Sequence, residues 1–444
     1  MKRVLLFLAL SIGLISNGYS QNYFVSTYAG NGTQGFVNGI TFNARFNRPS
    51  SICFDTIGNM YIAEWGNNCV RKITAAGIVT TLAGSGTAGF TNGTGTSATF
   101  NKPSWIDIDN STGDLYVVDV GNECIRKVTQ AGVVTTFAGT GVAGYQDGAA
   151  ASAQFNALAG LAVATNGDIY VADRNNARIR KISGGIVSTV AGNGSIGFAD
   201  GSALSAQFNV PADIEINSQG LIFITDRDNH RIRVFNPTTN MVSTYAGNGT
   251  SSSIDGTLTT CSFDAPRGFF INENDDIFVG DQDGNKIRMI SGNNVTTIAG
   301  NGNLGYQDGP SQYAEFNLPW DVAFFQGVIF VAGDYDHSIR QIHKTYSPDA
   351  INEEEKEETT ISVFPNPAKD YINLILNSNT EIKSAEIDIF NLNGQLVQSN
   401  HIGDLIKGNI ITVNLKTESI STGQYILVVK SRNEAVLTRK LIIE

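Results

Sequence analysis

Six copies of one phrase govern what this chain can become. The pair Ala-Gly closes "YAG", "LAG", "FAG", "VAG", "YAG" and "IAG" at Gly30, Gly84, Gly139, Gly192, Gly247 and Gly300, at intervals of 54, 55, 53, 55 and 53 residues. A second anchor keeps step, running from "MYIAEWGNNCVRKI" through "IYVADRNNARIRKI" to "IFVAGDYDHSIRQI". A fixed period of this length means one supersecondary unit repeated, each copy burying its apolar face on the next.

Within a unit the apolar runs are short and rich in Val, Ile and Tyr. The third unit reads "GLAVA", "IYVAD", "RIRKI" and "IVSTVAG", divided by Asn-Gly and Gly-Gly turns. Such runs are antiparallel strands, too short for the 3.6-residue period of a helical solenoid. Four strands per unit predict an all-β, six-bladed β-propeller of four-stranded blades. The sixth unit, 320–342, offers only three strands. The missing one stands at the front: "FVSTYAG" at 24–30 matches the outer strand near 242–247, where "VSTYAGNGT" of 25–33 recurs unchanged. The N-terminal strand is therefore expected to close the last blade and leave no open seam.

The units resemble NHL repeats, and "DRDNHRIRVF" at 226–235 carries the Asn229-His230 pair followed by Arg231-Ile232. The connections of the form "AGNG..G(F/Y).(D/N)G......A.FN.P" are similar to those of secreted bacterial NHL propellers. The resemblance covers 24–342 and implies the fold strongly. It implies activity weakly, because such propellers mostly bind proteins or other ligands.

The two ends are different objects. Residues 1–20, with Lys2 and Arg3 before a short apolar core, read as a secretory signal peptide rather than a membrane span. The propeller occupies 21–346, and 347–360, containing "EEEKEE", is an acidic linker. Residues 361–444 alternate apolar and polar positions as a small Ig-like β-sandwich. Its Pro-Asn-Pro-Ala opening, central Asn-Gly turn and Gly-x-Tyr strand resemble the C-terminal sorting domain of the Bacteroidetes type IX secretion system. That resemblance implies handling by the secretion machinery and a secreted, extracellular or outer-surface location. Nucleic acid and anionic membranes are not expected partners, since 41 acidic residues face 30 basic ones.

Several familiar motifs carry no chemistry here. Five "GxGxxG" strings, such as "GNGTQG" at 30–35, precede a second turn rather than the helix a dinucleotide needs. "DQDGN" at 281–285 lacks the later Gly and Glu of a calcium loop, those places holding Lys286 and Gly292. Four scattered histidines (His230, His337, His343 and His401) suit no zinc site, and no serine has triad partners. An acid seven residues before an arginine recurs as Glu64/Arg71, Asp119/Arg126, Asp173/Arg180, Asp226/Arg233 and Asp281/Arg288, which reads as scaffold; Gly333 beside Asp334 breaks the rule in the sixth unit. Cys261 takes the place of Ala44, Ala98, Ala153, Ala206 and Ala314 and is expected as a small buried filler. Cys69 and Cys124 share one slot in adjacent units, which leaves a bridge between them open.

A ligand site need not repeat, so departures from the repeat are the informative places. The innermost strands align as "SICF", "WIDI", "GLAV", "DIEI", "GFFI" and "DVAF". Trp105 and Asp107, Asp213 and Glu215, and Asp321 depart where Gly and Ala are usual in the family, with Phe270 a bulky exception. On strands that ring the axis, the four carboxylates are candidates to face the central channel. They serve there either a bound cation or polar ligand, Ca²⁺ being the ion considered, or backbone amides at the rim. The leading expectation is a monomeric recognition propeller without catalysis or cofactor, binding an extracellular protein or glycan on the face that carries the long connections and the "DRNNA"-type turns. The alternative is a divalent-metal lactonase or esterase, similar to the gluconolactonase and paraoxonase propellers, with Asp107, Asp213, Glu215 and Asp321 as metal ligands.

Overall fold

The computed structural model describes residues 22–345, except residue 42, and residues 359–443 with short breaks. The expected signal segment 1–20 and nearly all of the linker 347–360 lie outside the described residues.

Six antiparallel sheets follow one another along the propeller sequence. In blade one the strands run outward from Pro49–Phe54 through Met60–Glu64, Cys69–Ile73 and Ile78–Ala83. Each blade also carries a fifth strand of two residues, here Gly39–Ile40, paired outside the fourth with Gly39 opposite Val79. Such a strand has no periodicity and is invisible to pattern reading. It comes from the long connection between blades, so the connection caps the edge of the sheet. The innermost strands touch in sequence order, and Pro319–Phe325 of blade six returns to Pro49–Phe54 of blade one. The ring is closed by Asn22–Ala29, antiparallel to Ser338–Thr345, with Val25 opposite Ile342 and Thr27 opposite Arg340.

The repeated acid and arginine form the hub of each blade. Both side chains are fully buried in all five pairs, at 2.9 Å for Arg71–Glu64, Arg126–Asp119 and Arg288–Asp281 and 2.5 Å for Arg180–Asp173 and Arg233–Asp226. A buried ion pair persists only when its remaining donors and acceptors are satisfied. The long connection supplies most of them, leaving the Nε of Arg71, Arg126 and Arg288 buried without a partner. Arg126 also donates to the carbonyls of Thr99 and Thr91, and Asp119 accepts the Asn101 N–H at 2.7 Å. The guanidinium sits between Phe90 and Phe100, at 5.1 and 5.2 Å from their ring centres. The aromatic and "FN" letters of the connection therefore exist to wrap the arginine. In blade six Gly333 vacates the acid's place and Asp336 moves in at 3.5 Å from Arg340, while Asp308 adds a second carboxylate at 2.6 Å as Asp147, Asp200 and Asp255 do in blades three to five. Asp334 is thereby released for another use.

The four cysteines are free and buried. Cys69 is held by Glu64, its Sγ donating to Oε2 at 3.3 Å, so no bridge to Cys124 forms. Cys261 fills its alanine slot with no exposure. In the tail, a three-stranded sheet (Thr359–Phe364, Tyr371–Ser378 and Ile410–Lys416) accompanies a four-stranded one (Leu396–Leu405, Ile382–Asn391, Gly423–Ser431 and Glu434–Ile443). Ile387, Ile389, Leu427 and Val429 form the buried face of the larger sheet.

Candidate functional site

Each innermost strand begins at one face of the disc and ends at the other, so the axial channel has two mouths of different chemistry. At the exit end lies a cavity of about 280 Å³ lined by Cys53, Trp105, Asp107, Glu215, Phe270, Asp321 and Phe324. The structure thus brings together Trp105, Asp107, Glu215 and Asp321 from blades two, four and six. Asp213 is 1% exposed and does not line the cavity.

Three of the four carboxylates join blades. Asp107 accepts the N–H of Ile108 at 2.7 Å and that of Val163 in blade three at 2.8 Å. Asp213 accepts from Ile214 at 2.7 Å and from Phe269 in blade five at 3.0 Å. Asp321 accepts from Val322 at 2.8 Å and from Ile52 in blade one at 2.9 Å. One oxygen of each binds its own strand and the other binds the next. Gly160 and Gly268, one blade before Asp213 and Asp321, leave the space these carboxylates fill; a Cβ at either would strike the aspartate. Of the two sequence readings of these acids, service to backbone amides describes the three aspartates. Glu215 faces the cavity without a bond to another blade. Burial raises the carboxyl pKa of Asp107 to about 6 and that of Asp321 to about 7, and pushes Glu215 well above the carboxylate range, with Asp107 and Asp321 adding repulsion. Among the described residues, no three His, Cys, Asp or Glu side chains are grouped to hold a metal ion.

The entry mouth is built differently, from positions the strand alignment did not compare. The residue that follows the second strand is Trp65, Val120, Arg174, Arg227, Gln282 and Asp334 in blades one to six. The second residue of the innermost strand is Ser50, Ser104, Ala159, Ala212, Arg267 and Trp320. These two rings converge. Trp65 and Trp320 meet at 5.5 Å between ring centres, and Trp105, which lines the exit cavity, shares one buried cluster with Trp320. Arg267 lies over Trp320 at 3.4 Å. Arg48 reaches Trp65, Trp320 and Tyr335 at 5.6, 5.9 and 5.0 Å, held by the released Asp334 through its Nε at 2.5 Å. Arg227 pairs with Asp228 at 2.6 Å, and shares the Gln282 side-chain oxygen with Arg267.

Burial, with Arg227 and Arg174 nearby, lowers the Arg267 guanidinium to about 9. Burial and Arg227 likewise lower Arg174. Neither makes an ion pair among the described residues. The indole Nε1 of the 3% exposed Trp320 is buried without a hydrogen-bond partner. The sequence signal for this mouth existed in the letter after each repeated acid: Trp, Val, Arg, Arg, Gln and Asp where a pure scaffold would repeat itself.

A closed six-bladed β-propeller with one aromatic, arginine-rich mouth is the class that fold and site define. The NHL repeat model matches residues 155–182 and 208–235, and the secretion system C-terminal sorting domain model matches 362–444. The chain is an NHL-repeat propeller with a type IX sorting tail. It is 28% identical over 277 residues to protein SUPPRESSOR OF QUENCHING 1, chloroplastic, of Arabidopsis thaliana, across 58% of this chain and 26% of that one. To NHL repeat-containing protein 2 of Bos taurus it is 26% identical over 296 residues, across 58% and 40%. It therefore spans less than half the length of these relatives. An auxiliary nutrient binding protein from Bacteroides ovatus superposes with a TM-score of 0.56 at 18% identity, over 73% of this chain and 78% of that one. A structure from Bacteroides thetaiotaomicron gives 0.57 at 16%, over 73% and 76%. The sorting tail marks the protein for export, and no helix among the described residues is long and apolar enough to cross a membrane.

Proposed function

We propose that this protein is an exported recognition propeller that binds an extracellular ligand at the entry mouth, without catalysis, at the cell surface or in the medium. The observation that carries the reading is the gathering of Trp65, Trp320 and Tyr335 with Arg48, Arg174, Arg227 and Arg267 at one end of the channel. Aromatic and arginine side chains are the types that dominate binding surfaces, and a rigid scaffold presents them at little entropic cost. The similarity in fold to proteins named auxiliary nutrient binding proteins accords with a binding role.

The test is a panel of glycans and extracellular proteins probed with the mature chain and with Trp65→Ala and Tyr335→Ala. Ligands lost by both variants, with unchanged melting, support the mouth. Ligands bound equally by all three proteins place recognition elsewhere.

A further inference from the structure

Most charges at the entry mouth are already matched. Arg48 has Asp334, Arg227 has Asp228 and, at 3.4 Å, Asp283, and Glu123 accepts the Ala157 N–H at 2.6 Å. Two guanidinium groups remain without an ion pair, Arg174 and Arg267, both partly withdrawn from water, with repulsion from neighbouring arginines set against attraction from Glu123 and Asp228 at Arg174 and from Asp334 at Arg267. Holding such charge unmatched is costly, and a chain of net charge −11 has no general need of it. Beside them the buried Trp320 indole N–H has no acceptor, half-buried Trp65 lies against Arg48 and Lys102 at 5.6 and 5.7 Å, and Tyr335 is 49% exposed.

We propose that Arg174 and Arg267 form the anion subsite of this mouth, taking a single carboxylate carried on a sugar-sized ring. The inference rests on the docking reading above and names the ligand's chemistry. Its parts follow from the geometry. At 3.4 Å from the Trp320 ring centre, the Arg267 guanidinium is stacked, so its donors are offered at the rim, the edge that suits a planar carboxylate. The acids around the mouth (Glu123, Asp228, Asp283 and Asp334) equal its arginines in number, so a phosphate dianion meets more repulsion there than a single carboxylate. The exposed ring of Tyr335, beside the edge of half-buried Trp65, receives the sugar ring. The step is binding alone, with no bond made or broken.

Titration calorimetry of the mature full chain tests this with three probes: D-galacturonate, D-galactose and inorganic phosphate. Galacturonate and galactose differ only in the carboxylate. The expected result is galacturonate binding at least about tenfold tighter than galactose and than phosphate, weakening with added salt. Arg174→Gln should lose that margin while melting as the wild type does, and Arg267→Lys, which keeps the charge and loses the fork, should lose most of it. Galacturonate bound no tighter than galactose, phosphate bound as tightly, or a margin that survives Arg174→Gln would each overturn the proposal. The two readings fail separately. A panel ligand abolished by Trp65→Ala but untouched by Arg174→Gln sinks the anion subsite and leaves the docking mouth standing, whereas a ligand indifferent to both removes the two together.

Discussion

The imidazole Nδ1 of His337 accepts the backbone N–H of Arg48 at 3.2 Å, joining blade six to blade one where the ring closes. The same place does the same work around the disc. Asn68 accepts from Lys102 at 2.8 Å, Glu123 from Ala157 at 2.6 Å, His230 from Ala265 at 3.2 Å and Asn285 from Leu318 at 3.1 Å. Donor and acceptor residues alike are left-handed, with φ of 47–57° at all of these non-glycine positions. Turn residues held this way are costly unless the surroundings fix them, and here each ring fixes the other. The histidine of the Asn229-His230 pair is thus a tie between blades, while Asn229 binds the Gly197 carbonyl and Asp226, both at 2.8 Å.

One junction lacks the tie. Ala177 occupies the acceptor's place between blades three and four, at φ 50°, opposite Val210 at φ 58°. Asparagine tolerates this conformation and carries the missing oxygen. Ala177→Asn should therefore stabilise the propeller by about 1 kcal/mol in denaturant unfolding. A destabilised variant would show that the junction is closed by packing alone.

The closing histidine makes ring closure sensitive to acid. Burial, opposed by Asp334 and aided by Arg48, lowers the His337 pKa below its ordinary 6.5. The unfolded chain then binds the proton first, so the stability due to His337 is complete above about pH 6.5 and declines as pH falls through the folded value. His337→Asn keeps an acceptor without a titration. Wild type should lose stability relative to this variant between about pH 6.5 and 5, and parallel curves would remove His337 from the account.

Channel acid has the opposite sign. Asp107 titrates near 6 in the folded protein because burial outweighs its two amide hydrogen bonds. The unfolded carboxyl releases its proton near 3.9, so the native state binds more protons between about pH 4 and 6 and stability falls as pH rises across that window. Against Asp107→Asn, which is neutral throughout, the wild type should gain stability as pH drops from about 6 to 4. A gap that stays constant with pH would mean that Asp107 is ionised throughout.

The buried hubs give the largest single-residue effect. Arg180 is fully buried and holds Asp173 at 2.5 Å while stacking on Tyr145 and Phe155 at 4.9 and 5.1 Å. Arg180→Met leaves Asp173 charged and unmatched in the core, at a cost of about 3–5 kcal/mol in unfolding free energy. The double change Arg180→Met, Asp173→Leu should recover most of that loss.

Repeats, blade count, closing strand and the acid-arginine hubs were legible because each is written several times or leaves a strand visibly missing. Asp107, Glu215 and Asp321 were legible as channel residues from strand alternation alone. Their task was not, since the choice between a ligand and a neighbouring amide lies in side-chain torsions, which decided for Val163 and Ile52. The entry mouth escaped for another reason. Arg48 and Trp320 meet only because the ring closes, and Trp65, Arg174 and Arg227 sit in turns after the repeated acid, outside the strands whose alternation was compared. Asp336 escaped likewise, replacing the absent acid from three residues further along the chain.

The most direct measurement of a cationic, aromatic docking mouth is collisional quenching of tryptophan fluorescence by iodide and by caesium at equal ionic strength. Trp65 is the half-buried tryptophan, whereas Trp105 and Trp320 are 4% and 3% exposed, so the accessible signal comes from the mouth itself. Despite the net charge of −11, iodide should quench several-fold more strongly than caesium, and Arg174→Gln should narrow the gap. Equal quenching by the two ions, or stronger quenching by caesium, would contradict the account.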